Sequence, residues 1–329
     1  MENHQSTATP PAPATHDAPR GGFIDQIFLN ADGLRAGWRL LIYVAMVVAL
    51  FLSLKTISMQ FWKSSPGVFT YGSIFLSELI GFVSVFGAAV AMSFVEHRSI
   101  GVYGLPVHGA FGKLFWQGCL LGIAEISLLM GLISAFHGYS FGPLALHGAE
   151  ILRWAVLWAL CLLFVGLFEE FLFRGYSVFT LTSGIGFWPA AILLSLLFAY
   201  VHRQNEGETP AGVAAVFVVG MFWCFTLKRT GNLWFAVGMH AAFDFGETFL
   251  YSVPDSGAIL PGHLSSAALQ GPSWLTGGSA GPEASVFDFL LLFIFFYVIH
   301  RLYPAKQPLH QGDPHVYSTS SDANTSFTP

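Results

Sequence analysis

The chain has 329 residues, of which 54% are hydrophobic and only 10% are Asp, Glu, Lys or Arg. Soluble domains carry about 25% charged residues. This composition, with a mean hydropathy of +0.60, excludes a water-soluble globular protein and predicts a chain whose solvent is the lipid bilayer. The net charge of −5, without any basic run, argues against nucleic acid as a partner.

The two ends of the chain are predicted to be disordered tails. Residues 1–22 are rich in Pro, Ala, Thr and His, with too little apolar surface to fold and without the basic start and apolar core of a signal peptide. A short amphipathic stretch, Phe23 to Leu34, leads into the first helix. We expect residues 23–303 to form one membrane helix bundle and residues 304–329 to form the second tail.

Apolar segments between the tails predict an all-α, polytopic bundle of about eight transmembrane helices, since a spanning helix needs about 20 mostly apolar residues. The fifth and sixth segments are short, which is common where helices end at a cavity. In chain order the segments are Trp38–Leu54, Tyr71–Val95, Leu114–Phe136, Ile151–Phe173, Trp188–Val201, Val213–Leu227, Leu233–Leu250 and Val286–Leu302.

The distribution of Lys and Arg predicts that both termini are cytoplasmic, because cytoplasmic loops carry an excess of these residues. With that orientation ten lie on the inside: Arg20, Arg35, Arg39, Arg98, Lys113, Arg174, Lys228, Arg229, Arg301 and Lys306. Four lie on the outside: Lys55, Lys63, Arg153 and Arg203. The long loop Val253 to Ser285 is then outside, and a bacterial cell membrane is the expected location.

The fourth apolar segment ends in Glu169-Glu170-Phe171-Leu172-Phe173-Arg174. Glu170 and Arg174 are four residues apart, so they are predicted to form a structural ion pair along one helix face. Glu169 points about 100° away and has no partner of its own on that helix, which suits a general base. The alternative is that both glutamates only mark the edge of the membrane.

Two further motifs place histidines in apolar segments. His202 ends the fifth segment after Phe198, where a lone histidine is more often an interfacial or capping residue than a ligand. His240 and Asp244 lie four apart inside the seventh, on one face that Glu247 continues. The alternative to a functional role is that His240 and Asp244 form a structural hydrogen bond within the bundle.

Ionisable residues inside membrane helices normally face a bundle interior or a water-filled cavity. A glutamate on one helix and histidines on two others can converge on one point and activate a water molecule, with or without a metal ion. The H-E-x-x-H spacing of zinc proteases is absent, so a metal site would have to be assembled between helices.

The order and spacing of these motifs resemble those of the CAAX-protease and bacteriocin-processing family, whose pattern is E-E-x-x-x-R, then F-x-x-x-H, then H-x-x-x-N or H-x-x-x-D. The resemblance covers about residues 150–250, including Arg229 to Trp234 before the last motif. It implies about eight helices around a polar cavity that opens to the membrane or the cytosol. It also implies catalytic roles for four residues: Glu169, His202, His240 and Asp244.

Within that resemblance, Glu169 corresponds to the glutamate that activates water, and the two histidines hold the water, a metal or the developing oxyanion. Asp244 stands where the eukaryotic prenyl-protein endopeptidases have Asn. Because Asp adds a negative charge, it fits a metal ligand or a histidine orienter better than an oxyanion donor. If a divalent metal is bound, zinc is the expected ion, and its predicted ligands are His202, His240 and Asp244.

The function expected from the resemblance is that of a CAAX-prenyl-protease-like membrane endopeptidase acting on a lipidated or hydrophobic peptide, with membrane lipids as its other partner. One alternative is a non-catalytic membrane scaffold or immunity factor of the same fold. Another is an ion-coupled transporter, suggested by Glu78 and Glu125 in the second and third segments. No internal repeat supports the transporter.

Overall fold

A computed structural model describes residues 27–30, 33–61, 70–205 and 207–304. The two predicted tails lie outside these residues, apart from position 304. In the described part of the predicted amphipathic stretch, Leu29–Asn30 (β1) pairs antiparallel with Gly33–Leu34 (β2). A second two-residue pair, Tyr139–Ser140 (β3) with Ala268–Leu269 (β4), joins two loops.

Nine helices of ten or more residues form the described part of the chain, which confirms the predicted all-α bundle. They are α1 Ala36–Phe61, α2 Tyr71–Val95, α3 Lys113–Ala135, α4 Ala149–Arg174, α5 Tyr176–Ile185, α6 Phe187–His202, α7 Pro210–Thr230, α8 Trp234–Phe245 and α9 Val286–Leu302. A π-helical turn, Gly246–Tyr251, continues α8. Short turns occur at Ile100–Tyr103, Val107–Gly109, Ser273–Thr276 and Pro282–Ala284.

Every predicted apolar segment coincides with a helix, but only some of the helices are long. Within the described residues, α1, α2, α3, α7 and the continuous stretch 149–185 are long and apolar enough to cross a membrane. The helices α6, α8 and α9 have 16, 12 and 17 residues. The sequence did not predict α5 as a separate helix; it begins after Gly175, where the backbone leaves the helical region and ends α4.

Local sequence signals account for several helix starts. Thr70 and Ser73 form a reciprocal capping box before α2, which satisfies donors that a helix N-terminus otherwise leaves free. Thr209 accepts from the Gly212 amide, and Pro210 opens α7, a position where its missing N–H costs nothing. Ser285 accepts from the Phe287 amide at the start of α9.

The helices run between two ends of the bundle. The terminal end is the one where α1 begins at Ala36 and α9 finishes at Leu302. The loop end is the opposite one, where α6 finishes at His202 and α9 begins at Val286. The short helix α5 lies at the terminal end, since Arg39 of α1 donates to the Ser183 hydroxyl over 2.5 Å.

Glycines bring α3 and α8 unusually close together. A Cβ atom at Gly118 would lie 2.1 Å from the Phe235 carbonyl oxygen, and one at Gly122 would lie 2.3 Å from that of Met239. Gly238 makes the reciprocal approach, with its Cβ position 2.2 Å from the Phe115 carbonyl oxygen. Small residues at helix interfaces allow such backbone contact in membranes. This packing fixes α8, which carries His240 and Asp244, in the interior of the bundle.

Candidate active site

A cavity of about 1200 Å³ opens between the helices in the half of the bundle nearer the loop end. The four residues with predicted catalytic roles all line it: Glu169, His202, His240 and Asp244. Three helices supply them, α4, α6 and α8. The structure therefore brings together residues that are separated by up to 75 positions in the chain (244 − 169).

Glu169 lies between the two histidines. Its Oε2 atom is 3.8 Å from Nε2 of His202 and 3.8 Å from Nε2 of His240. Both distances are too long for a hydrogen bond, but each can be spanned through one shared water molecule. The carboxylate is 21% exposed, so it faces the cavity while remaining largely shielded from bulk solvent.

His202 is oriented by its own helix. Its Nδ1 lies 2.9 Å from the Phe198 carbonyl oxygen, and since a carbonyl only accepts, Nδ1 carries the proton. In the neutral ring Nε2 is then an acceptor that faces Glu169. The Phe198 ring packs edge-on against the imidazole at 4.3 Å between centroids. This explains the F-x-x-x-H spacing, because Phe198 supplies both the carbonyl and the packing surface.

His240 is held between carboxylates at both ring nitrogens. Nδ1 lies 3.0 Å from Oε1 of Glu170, and Nε2 lies 3.3 Å from Oδ2 of Asp244. A doubly protonated ring satisfies both contacts as a donor. The indole of Trp223 stacks on the imidazole at 4.3 Å, with 17° between the planes. His240 is therefore fixed on its face and at both nitrogens.

Glu170 and Arg174 lie beneath the cavity and are fully buried. Their Oε1 and Nη1 atoms are 3.2 Å apart, and neither side chain is exposed to solvent. The guanidinium group lies 4.2 Å from the ring centroid of Phe198 and 5.2 Å from that of Trp223. These are cation–π contacts. Arg174 thus supports the two aromatic rings that pack against His202 and His240.

Three features of the site were not predicted from the sequence. One is the contact between Glu170 and His240, which joins positions 70 apart. Another is Trp223 of α7, an apolar residue among many. The third is Asp255, which comes from the loop after the π-helical turn and also lines the cavity. Burial raises the pKa of Asp255 to about 8, and the nearby Asp244 contributes to that rise.

The predicted metal ligands do not form the tightest group of ligand atoms. In the parts of the chain that the structure describes, one group of three His, Cys, Asp or Glu residues has ligand atoms all within 4.8 Å of one another. It consists of Asp244, Glu247 and Asp255, whereas the predicted zinc ligands were His202, His240 and Asp244. With both nitrogens facing carboxylates, His240 offers a metal no free lone pair when doubly protonated. A zinc ion at the histidines stays a prediction.

Comparison with known proteins identifies the same segment as the motifs did. Residues 151–246 match the family model of type II CAAX prenyl endopeptidase Rce1-like proteins. No curated protein and no solved structure matches the chain. The matched segment contains all four residues that line the cavity with predicted catalytic roles. The match confirms the resemblance of this segment to the CAAX-protease and bacteriocin-processing family.

Proposed function

We propose that this protein is an intramembrane endopeptidase that hydrolyses a lipid-modified or hydrophobic peptide with a water molecule activated by Glu169. The observation that carries the proposal is the position of Glu169, whose Oε2 lies 3.8 Å from one nitrogen of each histidine. A carboxylate in this position can accept a proton from a water held between it and the imidazoles. The family match over residues 151–246 supports the same chemistry.

The proposed reaction follows from the roles of the side chains. The water oxygen forms a bond to the scissile carbonyl carbon as its proton passes to Glu169. His202 orients that water through Nε2, because its Nδ1 is committed to Phe198. The positive charge of the His240 imidazolium, whose two N–H groups donate to carboxylates, stabilises the developing oxyanion at short range. Collapse of the tetrahedral intermediate breaks the C–N bond, and Glu169 returns its proton to the departing amine.

The environment of His240 matters for this role. An imidazolium close to a substrate oxygen is effective only if it stays charged and in place. Glu170 and Asp244 contact its two nitrogens over 3.0 and 3.3 Å, and both carboxylates favour the charged ring. Asp244 therefore acts as a histidine orienter, the role that its charge fits best. A divalent metal such as zinc is not required by these steps.

The cavity walls fit an apolar substrate. Its lining combines the polar cluster with many hydrophobic side chains, among them Phe51, Met59, Ile74, Leu162 and Val219. A site of this kind binds apolar groups along its walls while a few polar groups fix their orientation. Lipid-linked or hydrophobic peptides are the class of substrate that these walls favour.

The position of the cavity also bears on how substrate enters. Its lining includes Gln204, Asn205 and Gly257, which belong to loops at the loop end. The Lys and Arg distribution predicts that this end faces away from the cytoplasm. We therefore propose that substrate enters from the lipid or from the non-cytoplasmic face, which would make a cytosolic CAAX terminus a poor substrate.

Labelling in intact cells tests this entry side. Asn205→Cys at the loop end should react with a membrane-impermeant maleimide, whereas His108→Cys at the terminal end should react only after the cells are opened; both positions are exposed. The native cysteines, Cys119, Cys161 and Cys224, set the background. The reverse pattern would place the cavity on the cytoplasmic side and remove the proposed limit on substrates.

Substrate trapping tests the proposed activity. Glu169→Gln keeps the shape of the side chain but removes the base, so uncut peptides should co-purify with this variant and their cleavage products should appear only with the wild type. Mass spectrometry of both preparations identifies the peptide and the bond. A scaffold or immunity factor would tolerate the loss of Glu169. Ion flux into liposomes would instead indicate the transporter, whose suggested residues Glu78 and Glu125 line this same cavity.

A further inference from the structure

A group of three carboxyl side chains lies beside the catalytic cluster, toward the loop end. Asp244, Glu247 and Asp255 place ligand oxygens within 4.8 Å of one another. Asp244 also contacts His240, but neither Glu247 nor Asp255 has a part in the proposed hydrolysis. Three carboxylates this close repel each other strongly in a shielded environment. They require either protons or a cation to compensate their charge.

The surroundings of Glu247 favour a cation over protons. Its side chain is completely buried, and neither of its carboxyl oxygens has a hydrogen-bond partner among the described residues. Buried polar groups are nearly always hydrogen-bonded, and an exception calls for an explanation such as an ion. A protonated carboxyl would still need an acceptor for its O–H group, whereas a cation uses the carboxyl oxygens directly.

A helical turn and the loop after it bring these three residues together. Asp244 lies near the end of α8 and Glu247 in the π-helical turn Gly246–Tyr251, three positions later and therefore on the same face. Single π-helical turns of this kind are frequent at functional sites. Asp255 comes from the following loop, where its Oδ2 accepts from the Thr248 hydroxyl over 2.7 Å. A backbone bridge with Ala258 fixes the same residue.

The geometry points to a divalent cation site of the calcium type formed by Asp244, Glu247 and Asp255. All three offer oxygen, which hard cations prefer and which distinguishes this group from a zinc site. Calcium–oxygen distances of about 2.3–2.6 Å allow ligand oxygens on opposite sides to lie about 5 Å apart. Magnesium holds its ligands at about 2.0–2.1 Å and demands stricter geometry, so it would require this group to contract. The adjoining cavity can supply water as further ligands.

This site does not depend on the proposed peptidase activity, and binding measurements test it directly. The protein in detergent is freed of metal with EGTA and then titrated with Ca²⁺ or Mg²⁺, following heat release and thermal unfolding. Ca²⁺ should raise the Tm of the wild type by on the order of 5 °C at saturation, because a ligand bound only to the folded state stabilises it. Mg²⁺ should produce a smaller shift.

Three variants identify the ligands. Glu247→Gln and Asp255→Asn should each lose the calcium shift and the binding heat. Glu125→Gln is the matched control, a buried carboxyl of the same cavity outside the group, and it should keep both. If Glu247→Gln does not fold, Asp255→Asn and the wild-type titration still decide the matter. No binding heat for the wild type, equal shifts in all four proteins, or an equal response to Mg²⁺ would overturn the assignment.

Discussion

The two ends of the bundle differ in whether their shielded carboxyl groups have partners. At the terminal end the Glu96 carboxylate contacts Arg39 over 3.1 Å, Arg98 over 3.8 Å and the Tyr103 hydroxyl over 3.2 Å. The Tyr176 hydroxyl also donates to it. Toward the loop end, Glu125, Glu247 and Asp288 each have at least one buried oxygen without a partner among the described residues.

This difference distinguishes polar groups that stabilise the fold from polar groups that are available to a ligand. Polar groups that satisfy one another join helices and stabilise the fold, as Glu96 does for α1, α2 and α5. Polar groups that lack partners inside a protein are costly, and they persist where a substrate, a water molecule or an ion completes them. Glu170 and Arg174 combine both kinds, since they pair with each other and Glu170 also contacts His240 at the cavity.

The largest effect on stability is expected from breaking the ion pair between Glu170 and Arg174. Arg174→Ala leaves Glu170 buried without its guanidinium partner, and removing one member of a buried pair costs about 3–5 kcal/mol. The free energy of unfolding, measured by denaturant titration in detergent, should fall by that amount, and folded yield should drop. The exposed pair Arg153–Glu150 is the control, where Arg153→Ala should cost less than about 1 kcal/mol.

If Arg174→Ala stays as stable as the wild type yet loses activity, the assignment of Glu170 and Arg174 as a structural pair is wrong. The comparison of the two ends would then shift, because this pair would belong with the groups that serve the reaction.

A somewhat smaller effect is expected at the cavity. His202→Gln removes the imidazole that orients the attacking water, so the peptide cleavage rate should fall by about 10²- to 10³-fold, the size seen when one positioned polar group is lost from an active site. Because His202 packs at the edge of the cavity and not in the core, the free energy of unfolding should change by less than about 1 kcal/mol. A large loss of stability with normal activity per folded molecule would show that His202 stabilises the fold and does not act in the reaction.

The smallest effect is expected at the terminal end. Glu96→Gln weakens hydrogen bonds to two tyrosines and removes the ion pair with Arg39, which should lower the free energy of unfolding by about 1–3 kcal/mol. Activity per folded molecule should remain that of the wild type, since Glu96 does not line the cavity. A change in KM or kcat at unchanged stability would contradict the separation of the two ends.

Much of the fold followed from the sequence because hydropathy is a local signal. The helices α1 to α4 and α9 lie where their apolar segments predicted them. The separate helix α5 escaped prediction because Tyr176–Ile185 has only 10 residues, too few for a spanning segment, and lies between the predicted segments Ile151–Phe173 and Trp188–Val201.

The sequence named four residues that line the cavity, but it did not show most of the contacts that they make there. Spacing within a helix pairs Glu170 with Arg174 and His240 with Asp244, because side chains four apart share a face. It cannot show that Glu170 also contacts His240, since that contact depends on how α4 packs against α8. Asp255 was invisible for a related reason: a carboxylate in a polar loop has no periodicity to mark it.

The central claim is that Glu169 activates the water that cleaves the peptide. The most direct test reconstitutes the wild type and Glu169→Gln in liposomes with a peptide recovered by trapping, in water enriched in oxygen-18. We expect the wild type to place one heavy oxygen in the new carboxyl terminus, and the variant, folded and still binding the peptide, to cleave about 10²- to 10⁴-fold more slowly. Equal cleavage rates for the two proteins, or products without heavy oxygen, would contradict the claim.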